Sequence, residues 1–289
     1  MAALHARRAG WLSAQQMGMY LLEKARSLGV EFVRAPVEDV KTAEGCIQGV
    51  GLGSGEEVSA PIFINAAGPY LKQVSDMLDI YLPVYTELHL KALIRDPIGV
   101  VGRDAPLLIW DDEQFLSWGD EEQNSLSEDP ETRWLTESFP AGAHTRPEGG
   151  PDSQNIILLW EYQPKRMDPV WPPELDEMYP EIALRGIAAM LPRIQEYFSH
   201  IPRPQLDGGY YTKTPENRLL AGPLETKGAF VLGALSGYGI MAACGAGELL
   251  AANVLGSILP DYAQSFSPKR YMDVAYMEEL KTLDGSGQL

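Results

Sequence analysis

Residues 229 to 255 join an apolar run, Ala229 to Ala234, to a glycine-bearing turn and then to a helix built of small residues, about Ile240 to Leu255. Gly237 and Gly239 stand between strand and helix, where glycine permits a tight turn and lets another molecule approach the backbone. The first amides of such a helix have no partner within it, and its dipole favours negative charge at that end. A ligand that is, or becomes, anionic is therefore expected at this turn. The same spacing also fits a close-packed strand-turn-helix with no ligand. Ala242, Ala243, Gly245, Ala246 and Gly247 would let the helix lie close on a sheet or a flat ring, with Cys244 among them as a small buried side chain.

A second strand-turn-helix lies upstream. Ile62 to Asn65 is an apolar strand ending in Ala66, Ala67 and Gly68, and Pro69 suits the first position of a helix that continues over Leu71 to Leu78. Such a crossover exposes backbone amides at the carboxyl end of a strand, where α/β sheets bind ligands. Ala66, Ala67 and Gly68 are the candidates there. The glycine run from Gly49 to Gly55 is a different case. A dinucleotide loop needs a helix after its glycines, whereas here Glu56 and Glu57 follow, and then Pro61. It is predicted to be a hairpin, Cys46 to Leu52 against Glu57 to Ala60.

A helix is predicted from Ser13, its N-cap, to Leu28, with Gly29 as its stop, followed by strands at Val30 to Arg34 and Pro36 to Lys41. From about Tyr81 to Pro204 the texture changes. Strands are expected at Val84 to Ile94, Leu107 to Trp110, Trp134 to Ser138 and Asn155 to Tyr162. Solvated loops separate them, including Asp120 to Glu131 and Pro140 to Asp152. Helices follow at Glu174 to Met190 and Arg193 to Phe198, broken by Pro192. Strands plus helices in one insertion suit a domain with an antiparallel sheet.

The chain has 289 residues and a net charge of -17, which argues against a nucleic-acid or anionic-membrane partner. Two cysteines and four scattered histidines give neither a disulfide framework nor metal-ligand spacing, so no metal is expected. No run of about 18 uninterrupted apolar residues suggests a membrane span, and no secretory leader is read at the N-terminus. An intracellular, cytoplasmic location is the expectation.

The segment Gly-Tyr-Tyr-Thr-Lys-Thr-Pro-Glu-Asn-Arg from Gly209, the strand after it, Ser-Gly-Tyr-Gly-Ile from Ser236, and Asn-Ala-Ala-Gly-Pro from Asn65 together resemble the FAD-dependent amine oxidoreductases. That superfamily includes D-amino acid oxidase, glycine oxidase and monomeric sarcosine oxidase. The resemblance implies a mixed α/β fold, an incomplete Rossmann-like FAD-binding domain carrying an inserted antiparallel-sheet substrate domain. The expected divisions are 1–80 and 207–289 for the first, and 81–206 for the second. It implies an enzyme that oxidises a C–N bond of an amine or amino acid to an imine and hands the electrons to oxygen or another acceptor.

The resemblance also assigns roles. Gly237, Tyr238, Gly239, Ile240 and Met241 would meet the flavin, Ala66, Ala67 and Gly68 the FAD ribose and diphosphate, and Val37 the adenine through its backbone. Tyr211 and Tyr238 would be catalytic, Tyr211 by orienting substrate rather than as a base, since a phenol's ordinary pKa is near 10. Lys213 and Arg218 would hold an acid group of the substrate, or else be surface charges. Gly209 stands where monomeric sarcosine oxidases have a flavin-bonded cysteine, so FAD is expected to be non-covalent. Tyr238 replaces their histidine, and Met241 a lysine that helps hold the substrate carboxylate.

The superfamily's Gly-rich β-α-β unit and its ribose-binding acid have no counterpart in these 289 residues. The chain is therefore expected to be a fragment or truncated product, with autonomous FAD binding in question. The alternative is a catalytically silent remnant that acts as a binding module.

Overall fold

The computed structural model describes residues 2–282. Its helices are α1 (Ala14–Ser27), α2 (Leu71–Asp76), α3 (Asp120–Glu128), α4 (Tyr179–Ile187), α5 (Gly239–Leu255) and α6 (Val274–Leu280). Its strands are β1 (Val37–Ala43), β2 (Cys46–Leu52), β3 (Glu57–Ser59), β4 (Phe63–Asn65), β5 (Tyr85–Arg95), β6 (Leu108–Trp110), β7 (Gln114–Phe115), β8 (Ser138–Phe139), β9 (Ala143–Glu148), β10 (Asn155–Leu159), β11 (Gln205–Lys213), β12 (Leu220–Pro223) and β13 (Ala229–Gly233). Two compact units divide the chain. The first gathers Leu88–Lys165, Val170–Gly209 and the N-terminal segment ending at Ser13; the second gathers Ala14–Glu87, Arg166–Pro169 and the chain from Tyr210.

The first unit is an antiparallel sheet covered by a helix. The sheet order is β11-β5-β10-β9-β6. Ile94, Ile156, Leu158 and Trp160 face Ile182, Leu184 and Ile187 of α4, all almost fully buried. α4 starts with Pro180 in its first turn, where a missing N–H costs nothing. Arg185 on α4 is buried but satisfied. It reaches Glu181 Oε1 at 2.8 Å and lies 3.7 Å from the Trp118 ring centroid.

In this unit several sequence expectations are corrected. The acidic run from Asp120 is a helix, not a loop: acids suit the positive end of a helix dipole, and Glu122 accepts the Gly119 amide at 2.8 Å. Trp134 and Leu135 lie in a 3-10 turn rather than a strand. The Pro/Gly-rich stretch after Pro140 contains β9 despite Pro147. β6 pairs only with Ala143 to Thr145, so at Pro147 β9 is already an edge strand and no ladder bond is lost.

The second unit contains two small sheets. The meander β1-β2-β3 forms the predicted hairpin, with Gly49 opposite Ser59 and Gly51 opposite Glu57. In the other sheet, ordered β12-β13-β4, β13 runs parallel to β4 and antiparallel to β12. Val40, Ile47, Leu71, Leu220, Val231 and Ala234 form the core between them. α5 packs on β12 and β13, and Leu249 joins Ala221 and Ala263 in a satellite cluster.

Val30 to Arg34 forms no strand. No ladder partner faces it among the described residues, and Val30, Phe32 and Val33 are exposed. α1 likewise has no buried residue. Cys244 is exposed rather than buried, on the outer face of α5. By length and composition, 236–255 is apolar enough to cross a membrane; its partners here are two strands. In sequence, Pro260 to Ala263 and Ser267 to Tyr271 read as a tail packed on the FAD-binding domain and the last five residues as disordered; the tail docks through buried Ala263 and Arg270, and the last five residues lie outside the described residues.

Candidate functional site

The parallel pairing of β4 and β13 places two turns at one edge. Asn65 is level with Val231, so both strands leave the sheet at the same end. β4 runs into Ala66, Ala67 and Gly68, and β13 into Ala234 to Tyr238. β12 enters from that end too, because Leu220 is level with Gly233, which brings Arg218 to the same edge. Carboxyl ends of parallel strands are where α/β sheets take ligands, since the backbone amides of the following turns point outward there.

Each turn is fixed by local chemistry. Asn65 is 1% exposed. Its amide donates to Leu71 O and Ser75 Oγ, both at 2.9 Å, and its carbonyl oxygen accepts from Ala67 N at 3.2 Å. One buried side chain thus holds the entire 65–75 crossover. Gly68 has φ of +57°, a left-handed conformation that glycine adopts without strain, and a Cβ built there would meet nothing within 4 Å.

In the second turn the left-handed residues are Ala234 (φ 54°) and Ser236 (φ 50°), not the glycine at 239. Gly239 is right-handed, with φ of -47° and ψ of -52°, and has open space where a Cβ would lie. Its glycine is therefore not required by the turn itself. Ser236 carries the more telling feature: its Oγ is buried and makes no hydrogen bond among the described residues. A buried hydroxyl without a partner is costly, so the turn is built with a donor to spare. α5 continues from a 3-10 turn at Ser236–Tyr238 and has neither a side-chain cap nor an acid in its first turn.

The remaining candidates are distributed as follows. Tyr238, half-buried, caps α5, and Ile240 and Met241 are exposed at 41% and 72%. Val37 begins β1 in the meander and packs against the core that includes Ala234. Gly209 and Tyr211 lie on β11. Lys213 is buried and paired with Glu87 at 2.8 Å. Arg218 is exposed, with no ion pair among the described residues, while its backbone is tied to Thr214.

Just after β11, Glu216 is buried as the centre of a second network. Its Oε1 takes Arg270, Tyr271 and Tyr276, the two phenols at 2.9 Å each. Burial pushes the Glu216 carboxyl up, but Arg270 and these hydrogen bonds outweigh it and hold the carboxyl below its usual range. Burial beside this carboxylate raises both phenols. Arg270 also donates to Arg218 O and Leu219 O, and so clamps the chain entering β12. Asn65, Ser236 and Arg270 were not singled out from sequence. Asn65 alone carried a signal, as a polar residue ending an apolar strand.

FAD fits the edge on these observations: an orphaned Ser236 hydroxyl, a helix end without a side-chain cap and a Gly68 turn with open space beside it. The family model for FAD dependent oxidoreductases matches residues 1–253. No curated protein matches the sequence. Among solved structures, L-proline dehydrogenase from P. horikoshii is similar with a TM-score of 0.67 and 17% identity, over 89% of this chain and 59% of that one. Glycine oxidase from Geobacillus kaustophilus gives 0.62 and 16%, over 88% and 57%. Amadoriase I from Aspergillus fumigatus gives 0.67 and 14%, over 97% and 59%. The chain thus spans under two thirds of the length of these structures.

Proposed function

The chain belongs to the FAD-dependent oxidoreductase family, and on that premise we propose that the shared carboxyl edge of β4 and β13 receives the FAD of an enzyme that oxidises the C–N bond of an amine or amino acid to an imine. The observation that carries this reading is the in-register parallel pair, which brings the 66–68 and 234–238 turns to one edge. When bound, FAD would take two electrons from the substrate and pass them to oxygen or another acceptor.

Ser236 Oγ and the amides of Gly239 to Met241 would hold the cofactor, and the α5 dipole would favour negative charge on it by about 0.3 to 2 kcal/mol. Ala66 to Gly68 would supply further amides, positioned by Asn65. Gly209 has no side chain to bond with, which supports non-covalent binding. Tyr211 would orient the substrate. Of the two candidate cations Arg218 is the better holder of a substrate acid group, because the Lys213 charge is already met by Glu87.

In this reading the open side of β4 accepts a further strand-helix-strand unit carrying a Gly-rich diphosphate turn. β4 is an edge strand, Ile62 just before it and Ile64 within it are exposed, and α1 and the outer face of α5 show apolar residues to solvent. The test is a flavin titration followed by anaerobic addition of amines and amino acids. Binding weakened by Ser236→Ala, together with substrate-dependent bleaching of the flavin band, supports the proposal. Tight binding indifferent to Ser236→Ala would refute the placement.

A further inference from the structure

Next along the chain from the 66–68 turn, beginning at Pro69, the second unit has a cavity of about 340 Å³ among α2, the start of β5 and the 166–169 segment. Pro69, Val84 and Tyr85 give it apolar walls, and Lys72 and Arg166 are the cations lining it. Neither has an ion pair among the described residues. Asp168 is the one acid in the lining, so the cavity is net positive by one charge in a chain whose net charge is -17.

Arg166 is held ready. Its guanidinium carbon lies 3.7 Å from the Tyr85 ring centroid, a cation–π contact between two residues of the cavity wall. The backbone beneath it is pinned to β5, since Arg166 bridges Glu87 and Met167 N donates to Thr86 O at 3.0 Å. The Thr86 hydroxyl closes the same joint on Met167 O.

We infer that this cavity binds a small organic acid, one carboxylate on a compact apolar body. A planar fork of N–H donors beside a second cation suits a carboxylate. The single net positive charge balances a monoanion and leaves a phosphate dianion under-neutralised. The size falls within the range of small-molecule sites, whose walls are mainly apolar.

Calorimetric titration of the full chain with hexanoate and with inorganic phosphate tests this. Hexanoate should bind at least about tenfold more tightly than phosphate, and Arg166→Ala or Lys72→Ala should weaken hexanoate about tenfold or more. Arg166→Lys should lose part of the affinity, because the charge stays while the fork is lost. Lys72 is an exposed helix residue, so its variant tests the site independently of folding. Failure of hexanoate to bind, equal affinity for phosphate, or unchanged affinity in the variants would overturn the inference. So would competition between hexanoate and FAD, which would assign the two cations to the cofactor.

Discussion

Lys213 Nζ lies 2.8 Å from Glu87 Oε2, with 8% and 9% of the two side chains exposed. A charge buried that deeply is tolerable only while its partner is present. The pairing turns a residue that reads in sequence as a free cation into part of the protein's own framework.

Glu87→Gln is therefore expected to destabilise the second unit by about 3 to 5 kcal/mol, because it strands the Lys213 ammonium. Replacing both residues with apolar ones of similar size, Glu87→Leu with Lys213→Met, should bring stability back close to that of the wild type or above it. Urea unfolding of the three proteins measures this. Recovery in the double variant without any change in substrate affinity would show that the lysine serves the fold alone.

The Glu216 network sets an acid limit. With its pKa held below the ordinary 4.5 in the folded state, Glu216 contributes stability that is fully present above that value and lost as the pH falls through the folded one. Unfolding free energy measured from pH 7 downward should decline in that window. Glu216→Gln should start less stable and show a shallower decline there. A variant with the same slope as the wild type would rule Glu216 out as the titrating group.

In the first unit, Gly186→Ala should cost about 1 to 3 kcal/mol by overpacking. An added Cβ would lie 2.3 Å from Cζ3 of Trp160, a residue only 3% exposed. Alanine's better helix propensity, worth about 1 kcal/mol, does not offset a ring that has nowhere to move. Thermal unfolding with near-ultraviolet circular dichroism reports both the loss and the displaced tryptophan.

Where local pattern decides, the sequence was readable. α1, α5, β13 and the Cys46 hairpin fall within a residue or two of their expected bounds, because periodicity, caps and glycine stops act within one element. The pairing of β4 with β13 joins segments far apart in the chain, and no local pattern in either one specifies it. Val30 to Arg34 has strand composition but no ladder, so composition misled. At 134–138 and 143–148 the outcome was set by pairing partners that no local window contains.

The candidate site was legible as segments and not as atoms. The expected residues of both turns do sit at one edge, yet the glycine argument was misplaced, since Ala234 and Ser236 take the left-handed conformation that sequence reasoning reserved for glycine. Ser236 could not have been found from its type alone, because the orphaned hydroxyl depends on what packs around it. Arg270 is 54 positions from Glu216 and belongs to a segment that reads as a tail.

Gly239→Val gives the most direct test of the central claim. Because Gly239 is already helical and a Cβ there meets nothing within 4 Å, the variant should match the wild type in unfolding free energy to within about 0.5 kcal/mol. If the flavin lies against the start of α5, the same substitution should weaken FAD binding by about tenfold or more in a spectroscopic titration run beside the unfolding measurement. Unchanged stability with lost FAD affinity is the predicted result. Unchanged stability with unchanged FAD affinity would contradict the placement of the cofactor at this edge.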